Sequence, residues 1–311
     1  MKSHKSLLEW YKIHGRIHLP WRETTNIYHI YLSEIMLQQT QVSRVASEYY
    51  PKFLELYPTL KDLANAKEEE VLANWSGLGY YSRARNIHKV AKLVENKMPN
   101  CEKELLKLPG IGRYTASAIC SFGYHQAIPV VDTNIARVLK RYFALVEVKD
   151  EVIWKNAEEF LNKDDPTKHN LALMDLGSMI CTPKTPKCSE CPLEKDCQGK
   201  KEPELYTKKR KKEYISMELF YGVLLKENFI ALVKSTGSMY KNMLELPMVD
   251  PIEEDFIGNF KHSYTKYKLD VKLYNLEEYE ESYIWIDIEK IDEKPVSSLT
   301  KKALSLIKKQ L

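Results

Sequence analysis

LPGIGRYTASAICSFGYHQAIPVVDTN, running from Leu108 to Asn134, is the stretch around which the rest of the chain makes sense. Leu105, Leu106 and Leu108 close a short helix, and Pro109-Gly110 stops it. Gly112 lets the backbone turn sharply and approach a partner closely. Ile111, Thr115, Ala118, Ile119 and Phe122 then recur at helical spacing. The pattern is helix, glycine hairpin, helix. The second helix starts with unpaired amide N–H groups in a turn free of bulky side chains, a setting that suits one phosphate. The same residues would also serve as a plain turn between two helices. Beyond them the apolar run Ile128-Pro129-Val130-Val131 delivers Asp132-Thr133-Asn134. A carboxylate at the end of a buried run, beside a phosphate grip, has the makings of a site.

The chain has 311 residues, enough for two domains with ample core. Charged residues make up 29% and the net charge is +4, a mildly basic balance that fits a nucleic-acid partner without demanding one. There is no long apolar run and no signal-peptide core in MKSHKSLLEW, so a soluble, cytoplasmic protein with no membrane partner is expected. Six cysteines, four of them within 17 residues, do not read as a disulfide scaffold.

Helical periodicity predicts helices over 5–15, 28–50, 52–57, 60–66, 68–75, 82–97, 101–107 and 114–123, and again through 135–180. Cys101 and Cys120 fall in these helices as plain buried thiols. Lys200-Lys201 and Lys208-Lys209-Arg210-Lys211-Lys212 mark a basic linker, 199–212. After it the period changes. Tyr267, Leu269, Val271 and Leu273 alternate with polar residues, as do Ile284, Ile286 and Ile288. A hairpin is expected between 217–225 and 229–234, and a terminal helix from Ser298 to Leu311. Residues 1–198 are therefore all-α and 213–311 are α+β.

Cys181, Cys188, Cys191 and Cys197 are spaced C-x6-C-x2-C-x5-C. Four thiolates so placed can close around one centre, and on chemistry alone both zinc and an iron–sulfur cluster fit. Glu34 lies in an apolar helical run beside Ile35, Met36 and Leu37. Such a glutamate is either a surface residue at a helix boundary or an acid whose pocket keeps it protonated.

LPGIGRYTA followed by VVDTN resembles the helix-hairpin-helix DNA glycosylases of the endonuclease III superfamily, and the resemblance extends from about residue 5 to about residue 200. SEIMLQQTQV, Ser33 to Val42, resembles the MutY-type adenine glycosylases in particular. The resemblance implies that Asp132 is catalytic and that Glu34 is the general acid. It places Tyr114 where bifunctional members carry a lysine nucleophile, which implies a monofunctional enzyme. It assigns Gln39, and Tyr80 in GLGYYSR, as side chains inserted into the duplex when adenine is flipped out. It brings Asn134 as an orienting amide and Arg22 as a base-pocket residue, with Gly110 and Gly112 gripping the backbone. The cysteine loop 181–197, preceded by LMDLGSMIC, resembles the 4Fe–4S loop of the superfamily, with the four cysteines as ligands.

Residues 213–311 resemble the Nudix-like C-terminal domain of MutY-type enzymes. Gly237 through Met243-Leu244-Glu245-Leu246-Pro247 matches a family stretch loosely, and the hydrolase signature with its close-set glutamates is absent. His262-Ser263-Tyr264-Thr265-Lys266, placed as a turn leading the 267–273 strand, aligns with the family's Phe-Ser-His loop that contacts 8-oxoguanine. Tyr264 keeps the aromatic group, Thr265 keeps a hydroxyl, and Lys266 replaces the histidine and is better suited to a phosphate. The expected protein is a monomeric base-excision repair enzyme. It hydrolyses the N-glycosidic bond of adenine opposite 8-oxoguanine or guanine in double-stranded DNA. A related glycosylase removing thymine from G·T mismatches and a non-catalytic DNA-binding protein are the competing expectations.

Overall fold

Asn26 starts the helix that organises the first half of the chain: its side-chain oxygen accepts from the N–H of Tyr28 at 2.9 Å, capping Ile27–Met36. That helix is apolar nearly all round, and Tyr28 and every residue from Ile30 to Met36 are buried, as a helix threading the inside of a domain requires. The computed structural model describes residues 2–207, 213–251 and 253–308. They fall into two units, Met1–Lys61 with Val90–Lys209, and Asp62–Lys89 with Arg210–Leu311.

Among its described residues the first unit contains helices and no strand. Asp132 caps the helix Thr133–Tyr142 by accepting from the N–H of Ile135 at 2.6 Å. This helix packs on Pro166–Met179, and the crossing is tight: a Cβ on Gly177 would lie 2.7 Å from the Cβ of Asn134. Asn170, on the same partner helix, holds the run that delivers Asp132. Its amide donates to Ile128 O at 2.9 Å, and its oxygen accepts from Val130 N–H at 3.2 Å. Leu7, Ile30, Phe122, Ile135, Leu139 and Leu173 meet in the core behind these elements. The helix expected at 114–123 is α-helical over Arg113–Ala118 and widens to π geometry over Ile119–Gly123. Cys120 is buried as expected, whereas Cys101 is exposed at the N-cap of Glu102–Leu105.

The second unit carries the strands. β1 (Ile215–Val223), β2 (Leu225–Lys226), β3 (Phe229–Lys234), β4 (Leu244–Glu245), β5 (Phe256–Tyr264), β6 (Tyr267–Asn275) and β7 (Ile284–Asp287) form two sheets. In one, β6 is central, parallel to β1 and antiparallel to β5. In the other, β3 is central and antiparallel to β2, β4 and β7. The expected hairpin between 217–225 and 229–234 shrinks to the pairing of the two-residue β2 with β3. β1 pairs instead with the distant β6, so its long ladder is non-local. His262-Ser263-Tyr264 is not a turn but the end of β5, and only Thr265-Lys266 turn, with Tyr264 paired to Tyr267. The terminal helix is Ser298–Ile307, capped by Ser297.

The boundaries also differ from expectation. Residues 62–89 join the second unit. Asn242 donates to Glu68 Oε1 at 3.1 Å, Lys234 pairs with Glu69 at 3.2 Å and Arg85 donates to Lys241 O at 2.9 Å. The start of the expected linker is folded, since the N–H of Gly199 donates to Arg141 O at 2.8 Å and Pro203–Tyr206 is a helical turn. The rest of that linker, 208–212, and the last three positions of the expected terminal helix, 309–311, lie outside the described residues. Among the described residues no helix is long and apolar enough to cross a membrane.

Candidate active site

Glu34 sits on the third turn of a helix whose surroundings are apolar, and only 5% of it is exposed. Burial pushes its carboxyl up to about 7, and the charge of Asp132 pushes the same way. The opposing influences are smaller: the Tyr114 hydroxyl donates to Glu34 Oε2 at 2.5 Å, and the Arg22 cation is near. Tyr114 comes from the helix after the glycine hairpin. Burial and the neighbouring carboxylates hold its phenol well above the usual value, so it remains a donor. Asp132 faces the same cleft as Glu34 and Tyr114. Burial raises its carboxyl, while three hydrogen bonds from Ile135 and Asn134 favour the charged form. Asn134 donates its side-chain amide to Asp132 Oδ2 at 2.9 Å. The cleft thus holds one carboxyl raised to about 7 and a second, also raised by burial, whose oxygens accept hydrogen bonds at a helix N-terminus.

Arg22 borders an adjoining cavity with Trp21, Leu37 and Glu34. It makes a two-pronged pair with Asp175, at 2.6 and 2.9 Å, and Arg16 adds a second guanidinium at 2.5 Å. Burial alone would raise Asp175, but the two arginines hold it below the usual carboxylate range. Sequence reasoning missed Asp175, although it lies in LMDLGSMIC; a lone Asp in a helical run gives no sign of being fully buried. It also missed Arg137, which donates to Asn134 Oδ1 at 2.9 Å, Gly177 O at 2.6 Å and Cys181 O at 2.8 Å. Trp154, an aromatic wall of the cleft, was also missed, because a lone Trp in an amphipathic helix reads as core packing.

In the hairpin Gly110 makes the turn, with φ of 77°. Gly112 is extended, and a Cβ there would meet nothing within 4 Å. Its missing side chain serves no internal contact and leaves open space above the amides. Gln39 follows the Glu34 helix with φ of 58°, and Tyr80 has φ of 48°, left-handed conformations that side chains adopt at about 1–3 kcal/mol. Tyr81 is core at 2% exposure, whereas Tyr80 is 36% exposed. The Tyr80 loop is braced by Arg83, which donates to Leu78 O at 2.9 Å and Gly79 O at 3.2 Å. In the second unit Tyr264 donates to Met239 O and rests against Tyr240, Thr265 has φ of 53°, and the Lys266 ammonium lies over the Tyr267 ring.

Cys181, Cys188, Cys191 and Cys197 line one cavity beneath the Asp132 helix, closed by Leu176, Ile180 and Leu193. Arg141 donates to Cys181 Sγ at 3.2 Å and to Thr182 O at 2.7 Å. Burial pushes Cys191 up to about 12, opposed by a backbone hydrogen bond and reinforced by the other three thiols. Among the described residues no three side chains converge tightly enough for a single ion.

The chain matches the HhH-GPD superfamily base excision DNA repair protein model over residues 32–174. It is 37% identical to an adenine DNA glycosylase of Buchnera aphidicola over 93% of this chain and 87% of that one. It is 41% identical to the human adenine DNA glycosylase over 63% of this chain and 39% of that longer protein. Among solved structures it is similar to a thermostable thymine-DNA glycosylase, with a TM-score of 0.60, 28% identity, and 64% of this chain on 97% of that one. An endonuclease III–DNA complex, at TM-score 0.56 and 24% identity, shares the fold over 65% of this chain and 97% of that one. With Glu34, Tyr114 and Asp132 in one cleft and relatives matched along nearly its full length, this chain belongs to the adenine DNA glycosylase family of HhH-GPD base excision repair proteins.

Proposed function

We propose that this enzyme removes adenine mispaired with 8-oxoguanine or guanine by hydrolysing its N-glycosidic bond, leaving the DNA strand intact. The observation that carries this is the Glu34–Asp132 pair in one cleft: burial holds Glu34 up to about 7, while Asp132, also raised by burial, accepts hydrogen bonds from Ile135 and Asn134 that favour its charged form. Adenine is a poor leaving group as an anion. Glu34, protonated near neutrality, gives its proton to N7 of an extruded adenine while Tyr114 steadies the carboxyl. The bond between C1′ and N9 then breaks, its electron pair leaving with the base. Asp132 faces the positive charge that grows on the sugar, as a carboxylate does in O-glycoside cleavage. Water adds to C1′ and loses a proton to a carboxylate. A phenol at position 114 cannot form a Schiff base, so no strand cleavage follows.

Duplex binding in this account uses the hairpin amides of Gly110 to Gly112 for a phosphate, and Gln39 and Tyr80 as the side chains that fill the stack. Their left-handed backbone supports this, because such strain concentrates at functional positions. Arg22, locked by Asp175, forms a wall of the base pocket. The second unit takes the part of a Nudix-like reader, with Tyr264 at the end of β5 and Thr265 and Lys266 in the β5–β6 turn contacting the opposite base. Cys181, Cys188, Cys191 and Cys197 would hold a 4Fe–4S cluster. What supports this is that the four thiols share one cavity, in the loop whose sequence resembles the 4Fe–4S loop of the superfamily. Once bound, a metal–sulfur centre would offset the mutual repulsion of these thiolates and cross-link the loop.

A thymine glycosylase remains the runner-up, favoured by the structural neighbour of that name. That neighbour is matched over 64% of this chain, while the adenine glycosylase relative is matched over 93%, including the second unit. A base-release assay on A·8-oxoG, A·G and G·T duplexes with borohydride present tests the proposal. Adenine release from the first two without a trapped adduct is expected. Thymine release from G·T alone would replace it with the rival, and a stoichiometric adduct would overturn the intact-strand outcome.

A further inference from the structure

The arginines of the first unit are nearly all spent on internal acceptors. Arg16 and Arg22 grip Asp175, Arg137 and Arg141 bind carbonyls of the cysteine loop, and Arg44 bonds the Tyr49 hydroxyl at 2.6 Å. Arg113 differs. Its guanidinium carbon sits 3.9 Å from the centroid of the Trp154 ring, and among the described residues no hydrogen bond or ion pair satisfies its donors. Trp154 is carried by the helix Asp150–Phe160, which Ile153, Ala157 and Phe160 anchor in the core. The ring also lines the cleft that holds Glu34 and Asp132. A guanidinium stacked on a fixed ring keeps its N–H edge free and loses little freedom when an anion arrives.

We infer that Arg113, held flat by Trp154, is a clamp for a DNA backbone phosphate next to the extruded nucleotide, separate from the hairpin amides. This rests on the proposed glycosylase activity for the nature of the ligand, but on the Arg113–Trp154 geometry for the site. An exposed cation with no acceptor, fixed by an aromatic side chain at the edge of a catalytic cleft, is organised for an anion. A cation–π stack that only joined two helices would use the face of the guanidinium and leave its N–H edge idle; that idle edge is what suits an anion.

The test uses the full-length protein and a duplex whose target is 2′-fluoro-2′-deoxyadenosine opposite guanine, with each nearby phosphate replaced in turn by an uncharged methylphosphonate. For the wild type, one replacement beside the target should weaken binding by about tenfold. In Arg113→Ala, binding should weaken by a similar factor, the same replacement should have no further effect, and the slope of log K against log salt should fall by about one. Trp154→Leu keeps the charge but frees it, so the slope should remain while the effect of that replacement shrinks. The idea fails if Arg113→Ala keeps the wild-type slope and methylphosphonate profile, or if Trp154→Leu leaves the profile unchanged. Adenine release by the wild type from an unmodified A·G duplex is measured alongside. Its absence would sink the glycosylase proposal, whereas release with an unchanged Arg113→Ala profile would sink only the clamp.

Discussion

Replacing Glu34 with Gln should abolish catalysis and, at alkaline pH, make the protein more stable. Folded Glu34 keeps its proton to about 7, while in the unfolded chain it releases it near 4.5. Between those values the native state holds a proton that the unfolded state has lost. Stability supplied by this group is complete below 4.5 and is lost as pH rises through 7. Each pH unit in that window removes about 1.4 kcal/mol, and the whole window about 3 kcal/mol. The amide of the Glu34→Gln variant has nearly the same shape, accepts from Tyr114 and does not titrate. Urea unfolding of both proteins at about pH 5 and about pH 8 isolates the effect, because every other titrating group is shared. The variant should gain about 2–3 kcal/mol on the wild type between the two conditions. An unchanged stability difference across that range would mean that Glu34 is not held protonated by its pocket.

Gly177→Ala should lower the single-turnover rate by about tenfold or more, because the new methyl meets Asn134 at 2.7 Å and displaces the amide that donates to Asp132. A rate within about twofold of wild type would show that the helix crossing does not set the carboxylate. Purified protein should be yellow-brown with about four irons, and Cys191→Ser should lose both colour and iron; zinc in place of iron would refute the cluster. Thr265→Ala should narrow the preference for adenine opposite 8-oxoguanine over adenine opposite guanine by about 1–3 kcal/mol. Retention of the full preference would move the reader away from the β5–β6 turn.

Much of the site is legible in local sequence. Glycines with no neighbouring bulk announce the hairpin, and Asp132 follows an apolar run into a helix start, which the cap geometry explains. Cysteine spacing gathers four thiols that the fold brings to one cavity. Positions that depend on long-range packing are not legible. Asp175 and Arg22 are 153 residues apart and mean nothing until their helices meet. The β1–β6 pairing joins strands far apart in sequence, so the near neighbour β3 looks like the partner of β1 and is not. Segment 62–89 carries helical periodicity like its surroundings, and only its polar ties to Lys234, Lys241 and Asn242 show which unit holds it.

The central claim is that Glu34 supplies the proton that lets adenine leave. Single-turnover adenine release from an A·8-oxoG duplex, followed from about pH 5 to about pH 9, tests it directly. The wild-type rate should decline as pH rises through about 7, where Glu34 loses its proton, and Glu34→Gln should be slower by about 10³-fold or more with no such decline. A Glu34→Gln enzyme that releases adenine at close to the wild-type rate, with the same pH dependence, would contradict the account.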